Sequence, residues 1–259
     1  MKSGFPEPSV QLDRLVRFLS TVNGTDKTLM LIQYTTKIIA WYADRQGSKL
    51  GANARALGGP VADFRILLRY YGLLPLLQYH RAIEQAPPPS KALTTIIRLQ
   101  NASMFLYYPM EHVYWLAAHK VLRMRPWAVD QVGYWSCRFW ALYVILEYAR
   151  LHLIRRDRQV REAEVRHSLM TEAERAGSDA SSEKDDSLPP MSQEEGKKLL
   201  QSFCKEREQW WTSFLINTAY FPLTFHWSIE GSTFPDVAVG ICGTIAAILQ
   251  FRSAWASTV

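Results

Sequence analysis

Cysteine is scarce and scattered in this chain. Its three residues, Cys137, Cys204 and Cys242, lie far apart and form no CxxC pair. That spacing supports neither a disulfide framework nor a thiolate zinc site, and reduced thiols in a cytosol-facing protein are the simple expectation. Strand signals are scarce throughout. No glycine fingerprint follows a strand, no phosphate-binding Gly-Lys-Ser occurs, and neither GxSxG nor HExxH is present. Asp26-Lys27-Thr28 lacks the glycine loop that would make it a phosphate site. Glu111, His112 and His119 offer two imidazoles seven residues apart without a third ligand, and a plain helix surface is the simpler reading. No catalytic residue, cofactor or metal is therefore expected, and the chain is not expected to be an enzyme. No zinc-finger spacing, ribonucleoprotein motif or basic-zipper heptad points to nucleic acid. The first residues lack the apolar stretch of a secretory signal, and the final Ala-Ser-Thr-Val is not a Ser-Lys-Leu matrix address.

Apolar surface, by contrast, is abundant. Of 259 residues, 48% are hydrophobic, enough for a sizeable core or for occupation of a bilayer, and the formal net charge is +6. A basic balance suits anionic lipid or an acidic partner. Nine Trp cluster beside basic residues or at the ends of apolar runs, the placement of a membrane–water interface.

Patterning along the chain predicts helices. Residues 1–10 carry two prolines and read as a disordered arm. Leu12, Leu15, Val16 and Leu19 share a helical face, which Asn23-Gly24 is expected to end. Thr25 then caps a second helix, with Asp26 in its first turn, running to about Ala43. Gln46-Gly47-Ser48 is the stop. Residues 54–81 are strongly amphipathic. On a helical wheel Arg55, Arg65, Arg69 and His80 fall in one sector, while Phe64, Leu67, Leu68, Tyr71, Leu74 and Leu77 fill the remainder. Pro75 is expected to kink this helix. Such a helix can lie in a headgroup layer, or it can be a core-facing helix of a bundle; the moment is the same.

Pro87-Pro88-Pro89 breaks the chain and Ser90 caps the next helix. Residues 91–122 read as helix interrupted at Tyr108-Pro109, and Arg125-Pro126 marks the next boundary. Residues 127–154 are rich in Trp, Tyr and Leu, but their longest charge-free run, Phe139 to Leu146, is too short to span a bilayer. Residues 155–208 change character, with 13 Asp+Glu against 11 Lys+Arg. Gly177 to Pro190 has almost nothing apolar and reads as disordered. Ser192 with Glu195 forms a capping box for the last helical region.

Two charge-free runs close the chain. Trp210 to Ile229 has Trp210 and Trp211 at one end and Trp227 at the other, about one bilayer thickness with aromatic belts. After a turn holding Glu230 and Asp236, Val237 to Phe251 carries Gly240, Gly243, Ala246 and Ala247, small residues that let helices approach closely in lipid. Lys205, Arg207 and Arg252 flank the hairpin, so its termini are expected in the cytosol. A buried soluble hairpin is the alternative.

The order Leu-Asp-Arg-Leu-Val-Arg-Phe-Leu-Ser at 12–20, Thr-Asp-Lys at 25–27 and Ile-Gln-Tyr at 32–34, then the Arg65–Arg69 helix and the Gly240–Gly243 segment, resembles the peroxin-eleven family of peroxisomal membrane proteins. It resembles that family's divergent fungal paralogues more than its founding members. The expected fold is all-α, a multi-helix membrane protein with amphipathic N-terminal helices and a C-terminal apolar hairpin. Its regions are 1–90 (amphipathic), 91–168 (helical middle), 169–195 (charged linker) and 196–259 (hairpin). The resemblance implies peroxisomal membrane elongation, fission and proliferation, with the 54–81 helix as a wedge. Arg65 and Arg69 match its basic face, with Arg55 in the same sector, and Phe64, Leu67, Leu68, Tyr71 and Leu74 lie on its inserted face. It also implies self-association and a recruited dynamin-like fission GTPase with its membrane adaptor. A pore for small metabolites, suggested by the polar content of Gln131 to Arg150, and a soluble helical interaction protein are the alternatives.

Overall fold

The computed structural model describes residues 10–177 and 192–258. The N-terminal arm and the centre of the charged linker, both expected to be disordered, lie outside the described residues. Those described form helices joined by short turns, with no strand among them. They divide into two compact units, residues 1–147 with 215–259 and residues 148–214.

In the larger unit, α1 (Val10–Leu19) ends at Ser20-Thr21. The Thr21 hydroxyl accepts from the Gly24 amide at 2.9 Å and caps α2 (Val22–Arg45). Asn23-Gly24 therefore lies inside the second helix and does not end the first. Gly24 is needed there because a Cβ would collide with the Phe18 carbonyl. Gly47, at φ +64°, turns the chain after α2. α3 (Leu50–Leu68), a 3-10 turn (Arg69–Gly72) and α4 (Leu73–Gln85) come next. The expected kink is thus a tightened turn just ahead of Pro75, whose ring cannot tolerate the Tyr71 carbonyl in helical register. Ser90 caps α5 (Lys91–Ala118) through the Leu93 amide. Pro109 lies inside α5 without splitting it, so the expected interruption is absent. α6 (Pro126–Gly177) and α7 (Gln193–Ser228) run through both units, and α8 (Asp236–Ala256) closes the chain.

Helix α2 is the centre of the larger unit, packed along α3 on one side and α8 on the other. Both neighbours meet it with small residues. On α3, Gly51 lies against Ala40 and Asp44, and Gly58 lies against Thr36. On α8, Gly240 sits on Lys37 and Ile38 and Gly243 on the Tyr34 ring. Absent side chains bring the backbones close and raise dispersion contact between them. Tyr34, Met30, Leu223, Val239, Ala246 and Ala247 form the buried cluster around this crossing. All four small residues expected to pack α8, Gly240, Gly243, Ala246 and Ala247, are buried. Phe18 anchors α1 edge-on against Phe251 and Trp255, and Lys37 pairs with Asp236 at 2.8 Å.

The smaller unit joins the distal part of α6 to the first part of α7. Trp210 donates its indole N–H to the Leu151 carbonyl at 2.8 Å, and Arg161 reaches Glu206 at 3.0 Å. Ser192 and Glu195 exchange the hydrogen bonds of a capping box at the start of α7.

Among the described residues one helix, Asp236–Ala256, is long and apolar enough to cross a membrane, and a third of its apolar window is buried. Ile241, Ile245 and Ile248 on its outer side are exposed. The Trp210–Ile229 run does not meet the same measure. It shares one helix with the charged Gln193–Glu208 stretch.

Candidate functional site

The amphipathic stretch folds with its sense reversed. Arg65, expected to face headgroups, is only 6% exposed. Its Nε donates to Asp26 Oδ1 at 2.8 Å and its Nη1 to Gln33 Oε1 at 2.6 Å. Arg69 clasps Glu111 through Nε and Nη2, both at 2.7 Å. The Tyr107 hydroxyl donates to the same carboxylate at 2.8 Å. The basic sector of α3 thus faces α2 and α5. A guanidinium in that position needs a carboxylate, because an unpaired charge removed from water is far costlier than a paired one. Arg55 alone keeps an exposed head, and it too forms a fork with Asp44, at 2.6 and 3.1 Å.

The outward face is apolar. Phe64, Tyr71 and Leu74 are exposed, Leu74 to 67%, as are Leu57 and Leu77. Leu67 and Leu68 are half-buried. Exposed Leu residues singly need no explanation, but a row of them along one helix face marks an interaction surface. Polar inside and apolar outside is the arrangement that suits an apolar environment.

Behind α3 lies a cavity of about 1330 Å³, bordered by α2, α3, α5 and the near parts of α6 and α7. Its polar rungs run from the interior outwards. The Arg65–Asp26 side chains are 7% and 15% exposed, and Arg69–Glu111 are 27% and 11%. Asp63 and His119, 3.3 Å apart, are 42% and 41% exposed. Asp63 also accepts from the Trp115 indole at 2.7 Å.

Burial alone would raise the Asp26 carboxyl, but the Arg65 and Lys27 charges beside it prevail and hold it at about 2 against an ordinary 3.8. A depressed carboxylate stabilises the fold above its unfolded pKa, and that contribution is lost as pH falls through the folded value. Asp26 should therefore supply about 2 kcal/mol at neutral pH, lost mainly between pH 4 and pH 2. Denaturant titration of Asp26→Asn beside the parent checks this. Their stabilities should converge as pH falls through that window, and a constant gap would contradict it.

The sequence does not announce Asp26 and Glu111 as the partners of these arginines. The available signal is an ionisable residue inside an otherwise apolar helix, which calls for an opposite charge nearby. Among the described residues no group of three metal-ligating side chains occurs.

Residues 12–255 match the family Peroxisomal biogenesis factor 11 (PEX11). The chain belongs to this family. It is 25% identical to Peroxisomal membrane protein 11C of Homo sapiens, with 94% of each chain covered. No solved structure matches it. PEX11 membership agrees with the resemblance read from the 12–34 segment, the Arg65–Arg69 helix and the Gly240–Gly243 helix. It suggests a role in peroxisome biogenesis and, with the human relative, supports a peroxisomal membrane location.

Proposed function

We propose that this PEX11 chain elongates the peroxisomal membrane and promotes peroxisome proliferation by inserting the outward face of α3 and α4 into one leaflet. The carrying observation is the exposed apolar row Phe64, Tyr71, Leu74 and Leu77, set opposite the inward-turned Arg65 and Arg69. A wedge in one leaflet expands that leaflet relative to the other, and curvature relieves the difference. The driving term is burial of apolar side chains, about 1.5–3 kcal/mol for each one fully inserted. Attraction of Arg65 and Arg69 to anionic lipid is not needed, since both are already paired. The hydrophobic outer side of α8 anchors the chain. Self-association would concentrate wedges along a tubule, and fission would fall to a recruited dynamin-like GTPase and its adaptor. The basic residues Lys205, Arg207 and Arg252 beside the two C-terminal apolar runs favour a cytosolic position for both termini.

Flotation with vesicles tests the wedge. Phe64→Ser with Leu74→Ser should lower vesicle binding at least tenfold and abolish tubulation, while Arg55→Gln should change neither by more than about twofold. Full tubulation by the double variant would remove this mechanism.

A second reading, a pore for small metabolites, is favoured by the charged lining of the large cavity. Purified protein in a planar bilayer should then conduct, and silence after verified insertion counts against it.

A further inference from the structure

The cavity behind α3 is lined by two kinds of polar group at different heights. At the inner height three cations, Lys27, Arg65 and Arg69, outnumber their two carboxylate partners, Asp26 and Glu111. Lys27 gives one hydrogen bond, to Asp26, and Arg69, which borders the cavity, uses only Nε and Nη2 on Glu111. At the outer height are carboxylates, Asp63 on α3 and Asp130 on α6, both bordering the same space. Aromatic rings stand beside them. Tyr114 and Trp115 come from α5 and Tyr134 from α6. Gly133 makes the close approach of these helices feasible, since a Cβ there would press on the Tyr114 ring at 3.0 Å.

The two heights have a definite separation. Helices α3 and α5 are antiparallel here, because Asp63 meets Trp115 while Arg69 meets Glu111. Six residues on one helix and four on the other put the rungs roughly 6–9 Å apart at 1.5 Å per residue. That is the span of a phosphate and an amine joined by a two-carbon link, with a hydrogen bond or ring contact at each end. Leu68, Tyr71, Leu74 and Pro75 border the cavity as well. Tyr71 and Leu74 also belong to the exposed apolar face, so an acyl chain could leave along them.

We propose that this cavity holds the headgroup of a zwitterionic phospholipid, its phosphate on Lys27 and Arg69 and its amine between Asp63, Asp130 and the aromatic rings. Arginine and lysine donors recognise phosphate through charge-assisted hydrogen bonds. Carboxylates beside aromatic faces recognise an ammonium, quaternary or primary, by charge and cation–π attraction. A purely anionic lipid would satisfy the inner height but face Asp63 and Asp130 without a countercharge. Lipid retention is independent of the wedge. Tubulation can fail with retention intact, and the reverse.

Full-length protein stripped of lipid in detergent provides the test, with retention read by native mass spectrometry. The probes are phosphatidylcholine, phosphatidylethanolamine and phosphatidylglycerol, with soluble phosphocholine and inorganic phosphate as separate arms. Both zwitterionic lipids should be retained at least tenfold more tightly than phosphatidylglycerol, and Asp63→Asn with Asp130→Asn should erase that preference. Lys27→Met should weaken all three lipids together. The exposed position of Asp130 allows Asp130→Lys without loss of fold, and this variant should turn the preference towards phosphatidylglycerol, a reversal that misfolding cannot produce. Phosphocholine bound as tightly as lipid would support the headgroup site and assign it to a soluble ligand. Tightest retention of phosphatidylglycerol by the parent, binding of inorganic phosphate alone, or an unchanged preference in the two carboxylate variants would overturn the proposal.

Discussion

Replacing Arg69 by leucine should destabilise the fold by about 3–5 kcal/mol, the cost of leaving a buried carboxylate without its counter-charge. Glu111 is only 11% exposed on its side chain. It accepts two guanidinium bonds and one from the Tyr107 hydroxyl. After the substitution the Tyr107 bond remains, but the charge has no cation. The paired substitution Arg69→Leu with Glu111→Leu should recover part of the loss, because replacing both partners removes the desolvation cost along with the attraction while the Tyr107 hydroxyl loses its acceptor. The coupling read from this double-mutant cycle is the informative quantity. Chemical denaturation of detergent-solubilised protein measures it. A single-variant loss below about 0.5 kcal/mol would mean that Glu111 finds water or another partner, and that α3 is not held to α5 as described.

Gly243→Val should be nearly as damaging for a different reason. A Cβ at this position would fall inside the Tyr34 ring, with three ring carbons in the way. Tyr34 cannot step aside, being 4% exposed in the cluster where α2, α7 and α8 meet. Overpacking of this kind costs about 1–3 kcal/mol and more where the backbone must shift. Gly59 supplies the contrast. Nothing lies near the Cβ it lacks, and it sits within α3. Gly59→Ala should therefore stabilise by up to about 1 kcal/mol through helix propensity. The two glycine variants should move the denaturation midpoint in opposite directions. Equal shifts would show that the α2–α8 contact is not tight.

Much of the helical framework is legible because its signals are local. Ser90 and the Ser192–Glu195 box start helices where capping chemistry places them, and Gly47 ends one with its positive φ. Local signals also mislead. Pro109 reads as a boundary, yet α5 passes through it, because a proline removes one amide bond and tertiary packing supplies the remainder. Asn23-Gly24 reads as a break, but Thr21 captures the Gly24 amide first.

The amphipathic stretch shows a deeper limit. A helical wheel separates Arg65 and Arg69 from Phe64, Tyr71 and Leu74 correctly, but it has no sign. Which face meets the protein depends on whether the other meets water or lipid. The partners that decide it, Asp26 and Glu111, are 39 and 42 residues away in sequence. On α8 the small-residue stripe is visible in an otherwise apolar run. The equivalent Gly51, Ala54 and Gly58 stripe on α3 is harder to pick out, because further small residues, Ala52, Ala56 and Gly59, lie between and beside its members. Both stripes have the same role, which is to let α2 approach.

Whether the apolar face of α3 and α4 elongates the peroxisomal membrane is decided by peroxisome number and length in living cells. Cells lacking this chain would be re-supplied with tagged parent or with the Phe64→Ser, Leu74→Ser variant and viewed beside a matrix marker. Both copies should reach the peroxisomal membrane. The parent should restore many elongated organelles, and the variant should leave them few and large. Full restoration by the variant, or a parent copy spread through the cytosol, would refute the wedge.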